Sequence, residues 1–203
     1  MYSSPKGATF ISKEQFLSVL PLDKQFELQL EGGEPTTHPL FWEFIFEAKS
    51  LKNCSQIIVC TNGTRMPRNQ KDLRHWLDQL GDKFTIKVSI NHHLIERDPG
   101  IFKFAQMLCS QLPIDETNKN LVLNIRLRQG VEYDEITIRH SIDELGLTPW
   151  ANIFYLQKYG LASDKQDWAE PFTVGNNFTL VNPDAISYGT DLVARSEAMR
   201  KLR

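Results

Sequence analysis

The chain has 203 residues, 41% of them hydrophobic and 24% charged, and a formal charge of −2. That length and apolar content suffice for one globular domain with a sizeable core, while the near-neutral charge excludes the basic footprint of a nucleic-acid binder. No stretch approaches the roughly 20 apolar residues that span a bilayer, and MYSSPKGATF has no signal-peptide core, so the expectation is a soluble, cytoplasmic protein with neither a membrane nor a nucleic-acid partner.

Elements alternate along the chain. Ser12 and Gln15 in SKEQFLSVL make a capping box, and Phe16 and Leu20 share one helical face, which predicts a helix over 13 to 20. FELQLE, 26 to 31, alternates as a strand does, and after a GGEP turn Pro39 opens a helix to about Leu51 with Leu40, Phe41, Phe44, Ile45 and Ala48 on one stripe. SQIIVCTNG, 55 to 63, reads as a buried strand closed by Asn62-Gly63. Next come a helix near 69 to 80, the alternating strand FTIKVSIN (84 to 91), a helix started by Asp98-Pro99, and the alternating strand LVLNIRLR (121 to 128). Ile138, Ile142 and Leu145 mark a further helix before ANIFYLQK, 151 to 158. Five strands joined by helices imply a mostly parallel sheet or partial barrel over 1 to 161. The tail, 162 to 203, reads as an extension packed on the same domain, with Asp184 as a turn residue and Arg195 and Glu197 on a solvated helix face.

The alternation carries functional information. Strands covered on both faces usually read as continuous apolar runs, whereas here one face offers Glu27, Gln29, Glu31, Lys87, Ser89, Asn91, Asn124, Arg126 and Arg128. Burying that many polar groups unpaired would exceed a domain's stability margin. The face must be cross-paired, wet or filled by a polar ligand, and a wide, open half-barrel with such a ligand accounts for it best.

In parallel α/β architectures ligands sit at the carboxyl ends of strands. There the chain places LQLEGGEPTTHP, 28 to 39. Gly32 and Gly33 leave backbone carbonyls uncovered so that an ammonium can approach, and Glu34, pushed extended by Pro35, adds a charged acceptor. His38 reads as a helix cap. His92 and His93 read as loop or substrate-side residues, since neighbours on an extended chain point apart and share no metal.

L-x-L-x-G-G-E-P-T-x-H-P, followed one helix later by a strand ending Thr61-Asn62-Gly63, resembles the S-adenosylmethionine-binding core of radical SAM enzymes over roughly residues 8 to 160. The resemblance implies a partial (βα)6, TIM-like barrel whose GGEP turn, here Gly32, Gly33, Glu34 and Pro35, binds the amino group of the methionine moiety. It extends the cofactor-binding set to Thr61, Asn62, Ser89 and Asn91, assigns the carboxylate to Arg126 in preference to Arg128, and puts adenine near Tyr155 or Leu156.

One departure stands out. The family holds a [4Fe-4S] cluster on a CxxxCxxC motif after its first strand, and Cys54, Cys60 and Cys109 make no such motif. In family register the chain begins after that strand and loop. This implies a truncated core, inactive alone, whose open barrel edge is covered by a missing N-terminal segment or a partner chain. Two functional readings follow. The chain is the body of an enzyme that binds S-adenosylmethionine for 5'-deoxyadenosyl radical chemistry, or it is a cluster-free relative serving as a binding or partner module. Catalytic residues, metal ligands and substrate are not assigned by the sequence.

Overall fold

The computed structural model of the protein describes residues 10–114 and 120–158 and the single positions 166, 169, 179 and 181. Helix α1 (Lys13–Ser18) starts on the expected capping box, in which the Ser12 hydroxyl accepts from the Gln15 amide and the Gln15 side chain accepts from the Ser12 amide. Strand β1 (Phe26–Leu30) leads through a 3-10 turn at Pro35–Thr37 to α2 (Phe41–Ser50) and β2 (Cys54–Thr61). Then follow α3 (Gln70–Leu80), β3 (Phe84–Asn91), α4 (His92–Arg97), α5 (Ile101–Gln111) and β4 (Leu121–Leu127). A π-helical turn at Asp134–Ile138 runs into α6 (Arg139–Glu144), and β5 (Ala151–Tyr155) completes the series.

The strands form one parallel sheet in the order β1-β2-β3-β4-β5. Crossovers of one hand between successive neighbours put every connecting helix on the same face. That face is the core: Val59, Ile86, Val88, Ile90, Leu123, Ile125 and Leu127 are fully buried against Ile45, Leu73, Leu80, Ile101, Leu108 and Ile142 of the helices. A one-sided core accounts for the alternation, because every second strand residue points away from the helices. On the other face Gln56, Cys60, Lys87, Ser89, Asn124 and Arg126 are half-buried. The sheet is open, with β1 and β5 as its edges among the described residues. Phe16 of α1 stacks on Phe44 of α2 at 4.1 Å between ring centroids, in a smaller cluster beside β1.

Several expectations are corrected. The helix drawn from Pro39 starts at Phe41, because Pro35–Thr37 closes a turn of its own. Helix α4 has no counterpart in the reading of the sequence. Asn91 starts it by accepting from the Leu94 amide at 3.0 Å. Asp98 does not cap α5: it ends α4, and its carboxylate is drawn to Arg68 at 2.6 Å, so Gly100 precedes α5 instead. The last strand stops at Tyr155 rather than 158, and Gln157 then pairs in parallel with Ala169. The tail reading, with Asp184, Arg195 and Glu197, lies outside the described residues. Among those described, no helix is long and apolar enough to cross a membrane.

The turn after β2 depends on its glycine. Gly63 has φ 71, and a Cβ there would stand 2.8 Å from Cε1 of Phe104. Phe104 cannot retreat, being buried in the core with the Arg68 guanidinium 4.0 Å from its ring centroid. Gly63→Ala is expected to cost about 2 kcal/mol from left-handed strain and overpacking together, read as a lower midpoint in urea.

Candidate ligand-binding site at the carboxyl edge of the sheet

Beyond β1 the chain passes through Gly32, whose φ of 150 takes it outside the usual L-residue range and whose Cα faces open space. Of the two glycines in the turn, only Gly32 takes a positive φ. Pro35 holds Glu34 extended at φ −156 and ψ 103, where its side chain caps the 3-10 turn. The Glu34 carboxylate is then used within the protein. Oε1 accepts from the Thr36 hydroxyl at 2.6 Å, the Thr36 amide at 3.3 Å and the Thr61 hydroxyl at 2.7 Å, while Oε2 accepts from the Asn62 amide at 2.7 Å. The expected free acceptor is therefore a bridge between the GGEP turn and the end of β2.

That bridge also changes the role expected of Thr61. Its side chain is buried, and its hydroxyl donates its one proton to Glu34 while accepting from the Gly63 amide at 2.9 Å, so it has no proton to offer a ligand. Asn62 accepts from the Thr64 amide at 2.9 Å and the Thr64 hydroxyl at 2.6 Å, which leaves its Nδ2 hydrogens as the group it can offer.

Across the polar face the register fixes which groups stand side by side. Cys60 is opposite Lys87, Ser89 opposite Asn124, Asn91 opposite Arg126, and Arg126 opposite Phe154. Part of the face is cross-paired, since Gln29 donates to Glu31 at 2.9 Å and accepts from Lys87 at 3.2 Å. Arg126 is not satisfied in this way: its Nε is buried without a hydrogen-bond partner among the described residues, and its guanidinium lies 5.3 Å from the Phe154 ring centroid. Burial pushes its pKa down, with Cys60 and Glu31 acting in the other direction. A desolvated guanidinium of this kind is suited to meet an anion. Asn91, grouped with it in the sequence reading, spends its Oδ1 on the α4 cap and can offer only Nδ2 hydrogens.

No protein-family model matches the chain, and no curated protein or solved structure matches it. The arrangement of its own residues therefore carries any reading of function.

Arg128, the alternative to Arg126, is committed elsewhere. Its backbone amide donates to Asp134 Oδ2 at 2.8 Å, its Nε to the same oxygen at 3.1 Å, and its Nη2 to Oδ1 at 2.7 Å. Asp134 is 0% exposed. Burial raises its pKa, but the Arg128 hydrogen bonds outweigh that and hold the carboxyl below its ordinary value. Beside this pair lies His92, buried, with its ring centroid 3.8 Å from that of His93. The two histidines are helical rather than extended, so their rings meet instead of diverging. Burial pushes His92 down to about 4, aided by His93 and Arg128 and opposed by Asp134 and Glu96, so the ring is neutral near pH 7. Nothing in the residue pattern pointed to Asp134. Five residues separate it from Arg128, and no spacing rule links an arginine at a strand end to an aspartate in a π-helical turn.

His38, expected to cap the helix, instead ends the 3-10 turn, and Leu40 stands at the N-cap of α2. The His38 Nδ1 accepts from the Leu40 amide at 3.0 Å and its Nε2 reaches the Ile11 carbonyl at 3.2 Å, which puts the ring proton on Nε2. Burial lowers its pKa.

The cysteines do not fit an iron-sulfur cluster. Cys54 and Cys109 are buried and Cys60 lies on the polar face. Burial raises the Cys54 thiol and pushes both Cys60 and Cys109 up to about 12, whereas a cluster is held by converging thiolates. Among the described residues no three metal-ligating side chains gather. A shallow depression of about 320 Å³ lies at the opposite, amino end of β4 and β5, between Leu112, Asn120 and Trp150, and shares no residue with the carboxyl-edge site.

Proposed function

We propose that the protein is an S-adenosylmethionine-binding core of radical SAM type, its open sheet being the βα series of a partial barrel. The methionine end of the ligand would lie over the carboxyl half of the polar face. Its ammonium would meet the Gly32 and Gly33 carbonyls, its carboxylate Arg126, and its hydroxyls Ser89 and the side-chain amides of Asn62 and Asn91. The observation that carries this reading is Arg126, a cation on the polar face whose Nε is buried without a hydrogen-bond partner among the described residues. Desolvating a charged group without pairing it costs several kcal/mol, and a ligand carboxylate recovers that cost.

The radical reaction itself takes its electron from a [4Fe-4S] cluster. This chain's scattered, protonated thiols do not fit one, and no step of that chemistry is assigned to its residues. The same observation favours a second reading, a cluster-free module that binds an S-adenosyl ligand without transforming it.

Calorimetric titration tests the binding common to both readings. S-adenosylmethionine is expected to bind, and methylthioadenosine, which lacks the amino and carboxylate groups, to bind at least about tenfold more weakly. Arg126→Ala is expected to weaken S-adenosylmethionine about 10- to 100-fold, the loss of one charge-assisted contact. Equal binding of the two nucleosides, or an Arg126→Ala protein that binds as the wild type does, overturns the assignment. Anaerobic reconstitution with iron and sulfide tests the thiol argument. The thiol geometry predicts no stable cluster signal by EPR, and a robust signal would exclude the cluster-free module.

A further inference from the structure

We infer that Glu34 and Thr61 form a tie that positions the ligand-binding turn and holds the carbonyls of Gly32 and Gly33 toward the ligand's ammonium. The inference rests on the S-adenosylmethionine reading for its functional consequence, while the tie itself stands on geometry alone. Oε1 of Glu34 accepts from the Thr36 hydroxyl, the Thr36 amide and the Thr61 hydroxyl at 2.6, 3.3 and 2.7 Å, which saturates it, and Oε2 accepts from the Asn62 amide at 2.7 Å. An ammonium at Oε1 would have to displace donors already in place. Thr61 is only 2% exposed, and its single hydroxyl proton goes to Glu34.

The tie closes a long loop. Thr61 and Asn62 stand 27 and 28 residues beyond Glu34, with all of α2 between them, so the carboxylate is a tertiary clasp rather than a local cap. On one side of the clasp the 3-10 turn is anchored by Pro35 and Thr36, and on the other Gly63 is wedged against Phe104. The part of the turn left unsupported is Gly32, around which a Cβ would find nothing within 4 Å. A glycine this free loses more conformational entropy on ordering than any other residue. Fixing Glu34 beyond it is what holds the glycine carbonyls in one direction before a ligand arrives, which is preorganisation. In this arrangement Thr61 is a positioning residue, and the TNG segment serves the site by holding GGEP.

Three variants test the tie, with S-adenosylmethionine affinity and amide hydrogen exchange as readouts. Thr61→Val keeps the shape and removes the proton, Thr61→Ser keeps the proton, and Glu34→Gln turns an NH2 group toward a donor. Thr61→Val and Glu34→Gln are each expected to weaken S-adenosylmethionine about tenfold, with Thr61→Ser restoring affinity to within about threefold of wild type. The Glu34→Gln/Thr61→Val double variant should be no weaker than the worse single one, because both break the same clasp. A purely destabilising role would give additive losses and no rescue by serine, and either result overturns the inference. If Thr61→Val does not fold, Glu34→Gln and Thr61→Ser carry the same comparison. If the wild-type chain binds no S-adenosylmethionine, the functional reading fails and exchange decides the tie by itself. The Asn62 amide should then exchange at least about tenfold faster in Glu34→Gln than in wild type, and an unchanged rate refutes the clasp.

Discussion

Asp134→Ala is expected to destabilise the protein by about 3–5 kcal/mol, because it strips the acceptor from three Arg128 donors at once. The pair is asymmetric. Asp134 is 0% exposed whereas the Arg128 side chain is 23% exposed, so an orphaned Arg128 can recover some hydration and an orphaned Asp134 cannot. Arg128→Ala should therefore cost at least as much as Asp134→Ala. The double variant should be more stable than the sum of the single losses predicts, since it leaves no charge unpaired. Urea unfolding checks this, provided the m-values agree. A loss below about 1 kcal/mol for Asp134→Ala would mean that the ion pair is incidental to the fold.

Stability is also expected to fall with acid in a window set by His92. Its pKa is 6.5 ordinarily and about 4 in the folded protein, because the buried ring faces Arg128 and His93. Above pH 6.5 neither state binds the proton and the contribution is intact. Between 6.5 and 4 the unfolded chain takes up a proton that the folded one refuses, so stability declines as pH falls. Two and a half pH units at about 1.4 kcal/mol each amount to about 3 kcal/mol, gone by pH 4. Asp134 adds a further loss of the same sign only below its ordinary value of 3.8, when the carboxylate held by Arg128 is protonated. His38, also lowered by burial, contributes a smaller slope in the same direction. His92→Phe should flatten the profile between pH 6.5 and 4 while leaving the His38 part, as followed by urea midpoints across pH. An unchanged slope in His92→Phe would remove His92 from the account.

Much of this could be read before any coordinates. Strict alternation in FELQLE, FTIKVSIN and LVLNIRLR gave strands and, beyond that, a sheet with one apolar and one polar face. That inference holds because the strand period is two and the helices lie on one side only. The Ser12 capping box and the GGEP turn at the end of β1 were legible for the same reason: their physics lies within four residues. Of what failed, one part was local and the other long-range. Asn91 closes β3 and caps α4 in one step, which hid α4, and Asp98-Pro99 has the look of a helix start until Arg68, distant in sequence, takes the carboxylate.

The order of the five strands, the two-faced sheet and the position of GGEP at a carboxyl end are written in the residue pattern, because each follows from periodicity and short-range turn chemistry. How the polar side chains are spent is settled only by the folded arrangement. Glu34 accepts from Thr36, Thr61 and Asn62, Arg128 is held by Asp134, and the Arg126 Nε has no partner among the described residues. Hydrogen bonds and ion pairs across different strands and turns depend on distances in space, and residue spacing along the chain does not encode them.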